Sequence, residues 1–178
     1  MMRGILPLTF AVLAFSCSTT VPVPEIPFDD GYQISRSSLF QYKAPTGWLE
    51  VSDARDTSGV ELWLVSPDFR QSLEVRRVSL DESLQEGLAA ESAEAVARLL
   101  AEMTRGDNWA MKDSVTEFVG GGQAYWSCEM SNPTGDLQRV SVFVADERCF
   151  EMRSYMRGPA AGGRTLTLHG EFLRMLHW

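Results

Sequence analysis

Cysteine is the residue type in this sequence best suited to covalent chemistry, and it occurs at positions 17, 128 and 149. Thiol catalysis and redox exchange depend on a lowered thiol pKa, which a Cys-x-x-Cys motif or a helix N-terminus provides. Neither Cys128 nor Cys149 belongs to such a motif or follows a predicted helix start. We therefore expect no catalytic thiol at these two positions.

The predicted strand register decides whether Cys128 and Cys149 form a disulfide. Cys128 shares the apolar face of its strand with Trp126. Matching apolar faces across the following strands places Phe150 and Met152 on that side, so Cys149 points to the other face. The two cysteines also lie two strands apart, roughly 9–10 Å, whereas a disulfide needs Cα atoms within about 7 Å. We predict two free thiols, both at least partly buried.

The two histidines, His169 and His177, are the candidates for general-base or metal chemistry. They are about two turns apart on the predicted last helix, whereas a chelating pair needs an i, i+4 spacing. The sequence contains no Gly-x-Ser-x-Gly motif that would supply a serine nucleophile. We expect both histidines to be surface or terminal side chains without a catalytic or metal-binding role.

Charged doublets and tryptophans have ordinary structural interpretations. The acidic doublets fall in a linker, at a helix start and in a turn, and none has the spacing of a calcium loop: Asp29-Asp30, Asp81-Glu82 and Asp146-Glu147. We expect no metal and no cofactor, with a weak divalent-cation site as the alternative.

Arg76-Arg77 is interpreted as two solvated charges, with an anion site as the alternative. The five tryptophans are interpreted as core anchors, with a ligand cage as the alternative: positions 48, 63, 109, 126 and 178.

Length and composition predict one folded domain with an export signal. The chain has 178 residues, of which 44% are hydrophobic and 22% are charged. Its net charge of −8 repels phosphate backbones, so we expect no nucleic-acid partner. The same acidity provides no polybasic contact with an anionic membrane, so any membrane attachment must come from lipid.

The N-terminal region has the organisation of an export signal. A positive charge precedes an uncharged apolar run over residues 5–15, which is too short to span a bilayer. Ala14-Phe15-Ser16 then precedes Cys17, and here the segment resembles the lipobox of bacterial lipoproteins, although Leu is usual where Ala14 stands and a small residue where Phe15 stands. The resemblance implies a signal peptide over residues 1–16 and lipid on Cys17. Ordinary signal-peptidase cleavage, giving a soluble secreted protein, is the alternative.

Residues 17–37 are predicted to tether a domain that we assign to residues 38–178. Proline recurs over residues 21–27 and fits neither a helix nor a central strand, so we expect an extended stalk, with a disordered tail as the alternative. Ser18 stands where an Asp typically retains such lipoproteins at the inner membrane. By resemblance to that sorting rule, the predicted location is the bacterial cell envelope, at the periplasmic face of the outer membrane, with the lipid as the membrane contact.

Alternating apolar residues predict a sheet. Residues 60–65 carry apolar side chains on both faces, which indicates a sheet covered on both sides. The alternation slips after Val75, which predicts a β-bulge at Arg76-Arg77. Short turns between the last four strands favour an antiparallel meander. The predicted strands cover residues 39–43, 60–65, 73–80, 109–119, 123–132, 137–145 and 149–157.

Two amphipathic helices are predicted to pack on this sheet. One long helix after the early strands covers residues 83–105, with Ser83 and Glu86 as a capping box and Gly106 at its end. A C-terminal helix begins at about Thr165 and carries an apolar stripe: Leu168, Phe172, Leu173 and Leu176. The predicted fold class is therefore α+β.

This order of elements resembles the PsbP-like superfamily over roughly residues 38–176. The resemblance is carried by Tyr42-Lys43-Ala44-Pro45-Thr46-Gly47-Trp48, by Ser66-Pro67-Asp68 between two strands, by the helix that ends at Gly106 and by the hairpin over residues 140–156. It implies an α/β/α sandwich with a central antiparallel sheet, and binding or assembly in place of catalysis. The partner-binding positions of that family are not matched in this sequence.

The predicted function is that of a lipid-anchored, non-catalytic binding or accessory module with an unidentified protein partner in the envelope. One alternative is a carrier of an apolar ligand or lipid, because methionine and tryptophan can line adaptable sites: Trp126, Met130, Met152 and Met156. Another alternative is an enzyme of unidentified class.

Overall fold

Strands and two helices account for most of the residues that the structure describes. The computed structural model describes residues 26–51, 59–79, 90–105, 108–120, 123–158 and 162–178. Their elements, in chain order, are β1 (Gln33–Ile34), β2 (Gln41–Tyr42), β3 (Leu49–Glu50), β4 (Val60–Val65), β5 (Gln71–Arg77), α1 (Ala90–Arg105), β6 (Ala110–Met111), β7 (Thr116–Gly120), β8 (Gln123–Ser131), β9 (Leu137–Ala145), β10 (Arg148–Met156) and α2 (Gly162–Arg174).

The central sheet has eight strands in the order β3-β4-β5-β10-β9-β8-β6, and β7 also pairs with β8. Every pairing among them is antiparallel. Strands β8, β9 and β10 are joined by short turns and form the predicted meander. The α+β class and the antiparallel sheet are therefore confirmed. Strands β1 and β2 form a separate two-stranded sheet.

The two helices pack against different sets of sheet side chains. Helix α1 contacts β8, β9 and β6, and α2 contacts β9 and β10. Along β9, successive side chains alternate between these two sets, so the helices cover opposite faces of the sheet. The core under α1 includes Val96, Ala97, Trp126, Cys128, Val142 and Cys149. The core under α2 includes Leu73, Phe143, Phe150, Met152, Leu168 and Phe172.

The predicted position of Cys149 is wrong because the turn between β9 and β10 determines the register. Asp146 and Glu147 form a two-residue loop with φ of 53° and 59°, as in a type I′ turn. This loop pairs Val144 with Cys149, so Cys149 lies on the face of Cys128, under α1. The partners of the two cysteines on β9 are four residues apart, which with two strand spacings separates them by roughly 16 Å. Both are free and buried.

The β-bulge predicted at Arg76-Arg77 lies on the neighbouring strand instead. Strand β5 pairs with β10 without interruption. On its other side, Val60, Glu61 and Leu62 of β4 stand opposite only Arg76 and Val75. Glu61 is the extra residue and its side chain is buried. The bulge therefore absorbs the slip without breaking the ladder between β5 and β10.

Helix α1 and the strands after it differ from the predicted ranges. The described helix begins at Ala90, so the long helix predicted from Ser83 is not confirmed; residues 80–89 and 106–107 lie outside the described residues. The strand predicted over residues 109–119 is two short strands, because the carboxylate of Asp113 accepts a hydrogen bond from the amide of Glu129 at 2.6 Å. A side chain thus takes the place of a backbone acceptor at that point of the ladder.

Residues 26–37 pack against the domain, although the sequence assigns them to the tether. Phe28 forms a β-bridge with Pro45, and the amide of Asp29 donates to the carbonyl of Ala44 at 2.9 Å. Ile26 contacts the core under α2. Residues 26–37 are therefore part of the folded domain, and residues 28–34 run beside the segment that contains β2.

Candidate functional site

His169 is the centre of a buried polar network. Its Nε2 lies 2.7 Å from the hydroxyl of Ser141, and its Nδ1 lies 2.6 Å from the hydroxyl of Ser154. All three side chains are fully buried. The prediction that His169 is a surface or terminal side chain is therefore wrong. The sequence does indicate burial of His169, because the residue lies three positions before Phe172 and four before Leu173 and therefore falls on the same apolar face of the helix.

Two neighbouring strands extend this network to the edge of the core. Ser141 donates to the hydroxyl of Ser127 at 2.9 Å, and Nε of Arg139 donates to the same oxygen at 2.9 Å. Ser127 and Ser141 are direct cross-strand partners on β8 and β9. The pleat therefore places their hydroxyls on one face, where α2 brings His169 against them.

The chemistry of this network is limited by burial. Burial, and secondarily the nearby charge of Arg139, hold the pKa of His169 well below its usual value. The ring is therefore neutral, with one nitrogen donating and the other accepting. A serine–histidine pair resembles a nucleophile and its base, but both ring nitrogens are bound to serines and none of these groups reaches solvent. The network attaches α2 to the sheet and offers a substrate no access.

The buried cysteines are also unsuited to nucleophilic chemistry. Burial raises the pKa of Cys128 to about 11 and that of Cys149 to about 12. Both thiols are protonated near neutral pH, and a protonated thiol is a poor nucleophile and metal ligand. Among the described residues, no group of three or more His, Cys, Asp or Glu side chains is placed to hold a metal ion.

Arg76 is paired, contrary to the prediction of a solvated charge. Its Nη2 lies 2.5 Å from the carboxylate of Glu74, and its Nε lies 3.9 Å from that of Glu151. Glu151 is buried and also pairs with Arg153. Arg77 is exposed, as predicted. These carboxylates neutralise Arg76 and leave it poorly suited to bind an anion.

A pocket of about 430 Å³ opens between the β1–β2 loop and the C-terminal residues. It is lined by apolar and polar uncharged side chains together with one histidine: Tyr32, Ile34, Ser38, Leu39, Phe40, Gln41, His177 and Trp178. Tyr32 is 46% exposed and Trp178 is 40% exposed. The prediction that the tryptophans are core anchors is therefore wrong for Trp178 and for Trp63, which is 38% exposed on the other face of the sheet.

The aromatic walls of this pocket are held in place although they face solvent. The hydroxyl of Tyr32 lies 2.7 Å from Nε2 of His177, and the two rings meet edge to face at 4.8 Å. The backbone of His177 pairs in both directions with that of Gln41 on β2, at 2.7 and 2.9 Å. Trp178 packs on the rings of Phe40, Phe143 and Phe150 at centroid distances of 4.9, 5.3 and 4.6 Å. Side chains that are fixed before binding lose little entropy on binding.

The bulge in β4 supports the β1–β2 loop, which lines part of the pocket. The carbonyl of Glu61 accepts from the amide of Arg36 at 3.3 Å, and its carboxylate accepts from the hydroxyl of Ser37. The hydroxyl of Ser35 then accepts from the amides of Leu39 and Phe40, each at 3.1 Å. A bulge that aims one side chain at a loop is a common way to position a site.

The methionines and tryptophan proposed to line a carrier cavity do not come together. Trp126 and Met130 belong to the core under α1, whereas Met152 belongs to the core under α2. Met156 packs with Leu137 in a third cluster. All four side chains are buried in packed clusters. The pocket described above is separate from these residues.

Cys17, the predicted site of lipid attachment, lies outside the described part of the chain. The acidic doublet Asp81-Glu82 also lies outside it. Of the other doublets, Asp29-Asp30 lies where the chain enters the domain and Asp146-Glu147 forms the β9–β10 turn. Among the described residues, neither helix combines the length and the apolar character needed to cross a membrane.

No family model matches this sequence, and no curated protein matches it. Its fold is similar to that of cyanobacterial PsbP (CyanoP) from Synechocystis sp. PCC 6803, with a TM-score of 0.58 and 14% identity over 88% of this chain and 95% of that chain. It is also similar to that of Mog1p, a Ran-binding protein of Saccharomyces cerevisiae, with a TM-score of 0.55 and 14% identity over 85% and 96%. The PsbP-like fold predicted from the sequence is confirmed; at this identity the similarity concerns the fold alone.

Proposed function

We propose that this protein is a non-catalytic binding module, held at the membrane by lipid on Cys17, whose partner binds in the pocket between Tyr32 and Trp178. The observation that carries the proposal is the pair of exposed aromatic side chains held by Tyr32–His177 and Trp178–Phe150 contacts. Exposed aromatic residues that are fixed in advance are typical of binding hot spots.

The groups that could perform chemistry support binding over catalysis. His169 and its serines are sealed in the core, and burial keeps Cys128 and Cys149 protonated. The pocket contains one imidazole, but that of His177 is already bound to the Tyr32 hydroxyl. Mog1p, which has a similar fold, is a Ran-binding protein, and that similarity supports a binding role for this fold here only by analogy.

Lipid anchorage is the second part of the proposal and rests on the sequence before Cys17. Residues 1–16 have the charge and apolar run of a signal peptide. Eight residues lie between position 17 and Ile26, which packs on the domain, so the two positions are nine residue steps apart. Fully extended, such a stretch spans about 30 Å. We place the protein at the periplasmic face of the outer membrane, where a tether of this length would keep the domain close to the surface.

The test is partner capture from envelope fractions with a pair of matched tryptophan variants. Trp178→Ala removes a pocket wall, whereas Trp63→Ala removes an equally exposed tryptophan from the opposite face of the sheet. We expect crosslinking and mass spectrometry to identify a protein that is retained by the wild type and by Trp63→Ala and is lost with Trp178→Ala. Equal capture by all three proteins would refute the assignment of the pocket.

A carrier of a small apolar ligand is the second candidate, and the observation that favours it is the pocket volume. A volume of about 430 Å³ lies within the range of sites that enclose small molecules. Mass spectrometry of the natively purified chain tests this function directly. A bound lipid or other apolar molecule that is absent from Trp178→Ala would favour the carrier over the protein-binding module.

A further inference from the structure

We propose that the pocket between Tyr32 and Trp178 receives an extended, proline-rich segment of another polypeptide. This inference rests on the proposed function, because it names the chemical class of partner for the same site. Proline-rich segments adopt the polyproline II conformation before binding and therefore lose little entropy when they dock in aromatic grooves. Three properties of the pocket favour such a segment: its walls, its hydrogen-bonding groups and its charge.

The walls match the apolar rings of proline. Tyr32 and Trp178 are 46% and 40% exposed. The Tyr32 ring packs on His177, and the Trp178 ring packs on the aromatic core. The ammonium of Lys43 lies 5.0 Å from the centre of the Tyr32 ring, which further restrains that wall. Ile34 and Leu39 complete the apolar lining. Rigid aromatic and aliphatic surfaces of this kind are what pyrrolidine rings pack against.

The polar groups of the pocket match the backbone of such a segment. A polyproline II helix makes no internal hydrogen bonds, so its carbonyl oxygens need external donors. The lining includes Ser38, Gln41 and Trp178, whose hydroxyl, side-chain amide and indole N–H are hydrogen-bond donors. Within the described part of the chain, the structure shows no hydrogen bond from these three side-chain groups. They are therefore available to donate to a bound segment.

The charge of the lining favours an uncharged segment over an anionic lipid surface. The eight lining residues include no Asp, Glu, Lys or Arg, and the whole chain carries a net charge of −8. Recognition of phosphate groups depends on arginine or lysine, and attachment of a folded protein to anionic lipids depends on basic clusters. A neutral, carbonyl-rich ligand avoids both requirements.

The experiment is calorimetric titration of the purified full chain with an acetylated and amidated decaproline peptide. An uncharged Gly-Ser peptide of the same length is the control, because it lacks the polyproline II preference. We expect decaproline to bind the wild type and the Gly-Ser peptide not to bind. Trp178→Ala and Tyr32→Ala should each weaken binding about tenfold or more, as the loss of an aromatic hot spot does, and Trp63→Ala should leave binding unchanged.

Further outcomes are decisive in either direction. If Trp178→Ala does not fold, Tyr32→Ala still tests the pocket, because Tyr32 lies outside the two buried cores and is 46% exposed. Absence of decaproline binding, or binding that ignores both pocket variants, overturns the inference. So does binding of phosphatidylethanolamine–phosphatidylglycerol vesicles through Tyr32 and Trp178 when decaproline does not bind. If decaproline does not bind, the capture experiment with envelope fractions still tests the proposed function. Loss of the captured protein with Trp178→Ala would support that function, whereas unchanged capture would refute it.

Discussion

At the level of single residues, the structure explains how a histidine is accommodated in the core. His169 uses both ring nitrogens, one with Ser141 and one with Ser154. Buried polar groups are tolerated when they are hydrogen-bonded and costly when they are not. The serine and histidine side chains therefore depend on one another, because loss of one leaves a buried polar group of its neighbour without a hydrogen-bond partner.

The first prediction is that the free energy of unfolding decreases as the pH falls below about 6.5. The pKa of His169 is lowered in the folded protein, whereas in the unfolded chain the ring takes up a proton below its ordinary pKa of about 6.5. The unfolded state then binds the extra proton, so acid favours unfolding, and the contribution of His169 to stability is constant above that pH. For one such group the loss at pH 5.5 reaches about 1.4 kcal/mol. Urea unfolding at pH 7.5 and 5.5 measures it.

The control for this prediction is His169→Gln, which has a neutral donor and acceptor at the same position. The variant is expected to be less stable than the wild type at pH 7.5, because its amide cannot reproduce both serine contacts. It should nevertheless lose about 1.4 kcal/mol less than the wild type on going to pH 5.5. An identical pH dependence in the two proteins would contradict the role given to His169.

At the level of elements, a two-residue turn places a whole strand. Because Asp146 and Glu147 alone connect β9 to β10, Ala145 must pair with Arg148, and each later residue of β10 follows in register. If the loop also included Arg148, Ala145 would pair with Cys149. Cys149 would then face α2, and Phe150 would face α1. The turn therefore determines which side chains fill each of the two cores.

The second prediction is that Glu147→Gly stabilises the protein. Glu147 has a φ of 59°, a left-handed conformation that costs a non-glycine residue roughly 1–2 kcal/mol and glycine almost nothing. Part of this gain is offset because glycine is more flexible in the unfolded chain. We expect a net increase of about 0.5–1 kcal/mol in the free energy of unfolding, measured by urea denaturation.

The matched control is Glu147→Ala, which removes the same charge and keeps the backbone penalty. It should leave stability close to that of the wild type, because the side chain is exposed. If glycine and alanine give equal stabilities, the conformation of the turn is not what limits this hairpin.

At the level of the whole molecule, residues 28–45 and the pocket form a small structure that is separate from the main sheet. Residues 28–34 run antiparallel to residues 41–45, and the C-terminal His177 adds to the free side of β2. The pocket is therefore formed by segments that are distant in sequence and meet beside the main sheet. Its assembly depends on the packing of residues 32–41 together with residues 177 and 178.

The third prediction concerns attachment to the membrane. Wild-type protein should incorporate a labelled fatty acid and fractionate with membranes, because several acyl chains on one cysteine give stable attachment where a single chain gives only marginal binding. Cys17→Ser should lose the label and appear as a soluble or unprocessed form. Metabolic labelling followed by fractionation and N-terminal sequencing makes the measurement.

Ser18→Ala is the matched control for that experiment, because it changes the neighbouring residue and keeps the cysteine. It should retain both the label and the membrane fraction. A wild-type protein that takes up no label and is recovered as a soluble periplasmic species would rule out the lipid anchor. The binding proposal would then concern a secreted domain with the same pocket.

Periodicity alone was sufficient to predict the α+β class, the meander and the last helix. These features depend on local alternation and on short turns, which act between residues that are close in sequence. The apolar stripe on α2 was visible, and so was the position of His169 within it. The order of the elements also indicated the PsbP-like fold. The helix predicted from Ser83 is described only from Ala90 onward, and Ser83 itself lies outside the described residues.

Only the packed molecule revealed the pocket, the partners of His169 and the side of the sheet that Cys149 occupies. Tyr32 and His177 are 145 residues apart, yet their side chains are hydrogen-bonded, and no local pattern encodes a pairing over that separation. The face of Cys149 depends on the number of β9 and β10 residues taken up by the turn, because a shift of one residue in the pairing would move every side chain of β10 to the opposite face of the sheet. Trp178 is partly exposed because the three rings beneath it already fill the core, and that competition for space exists only in the folded state.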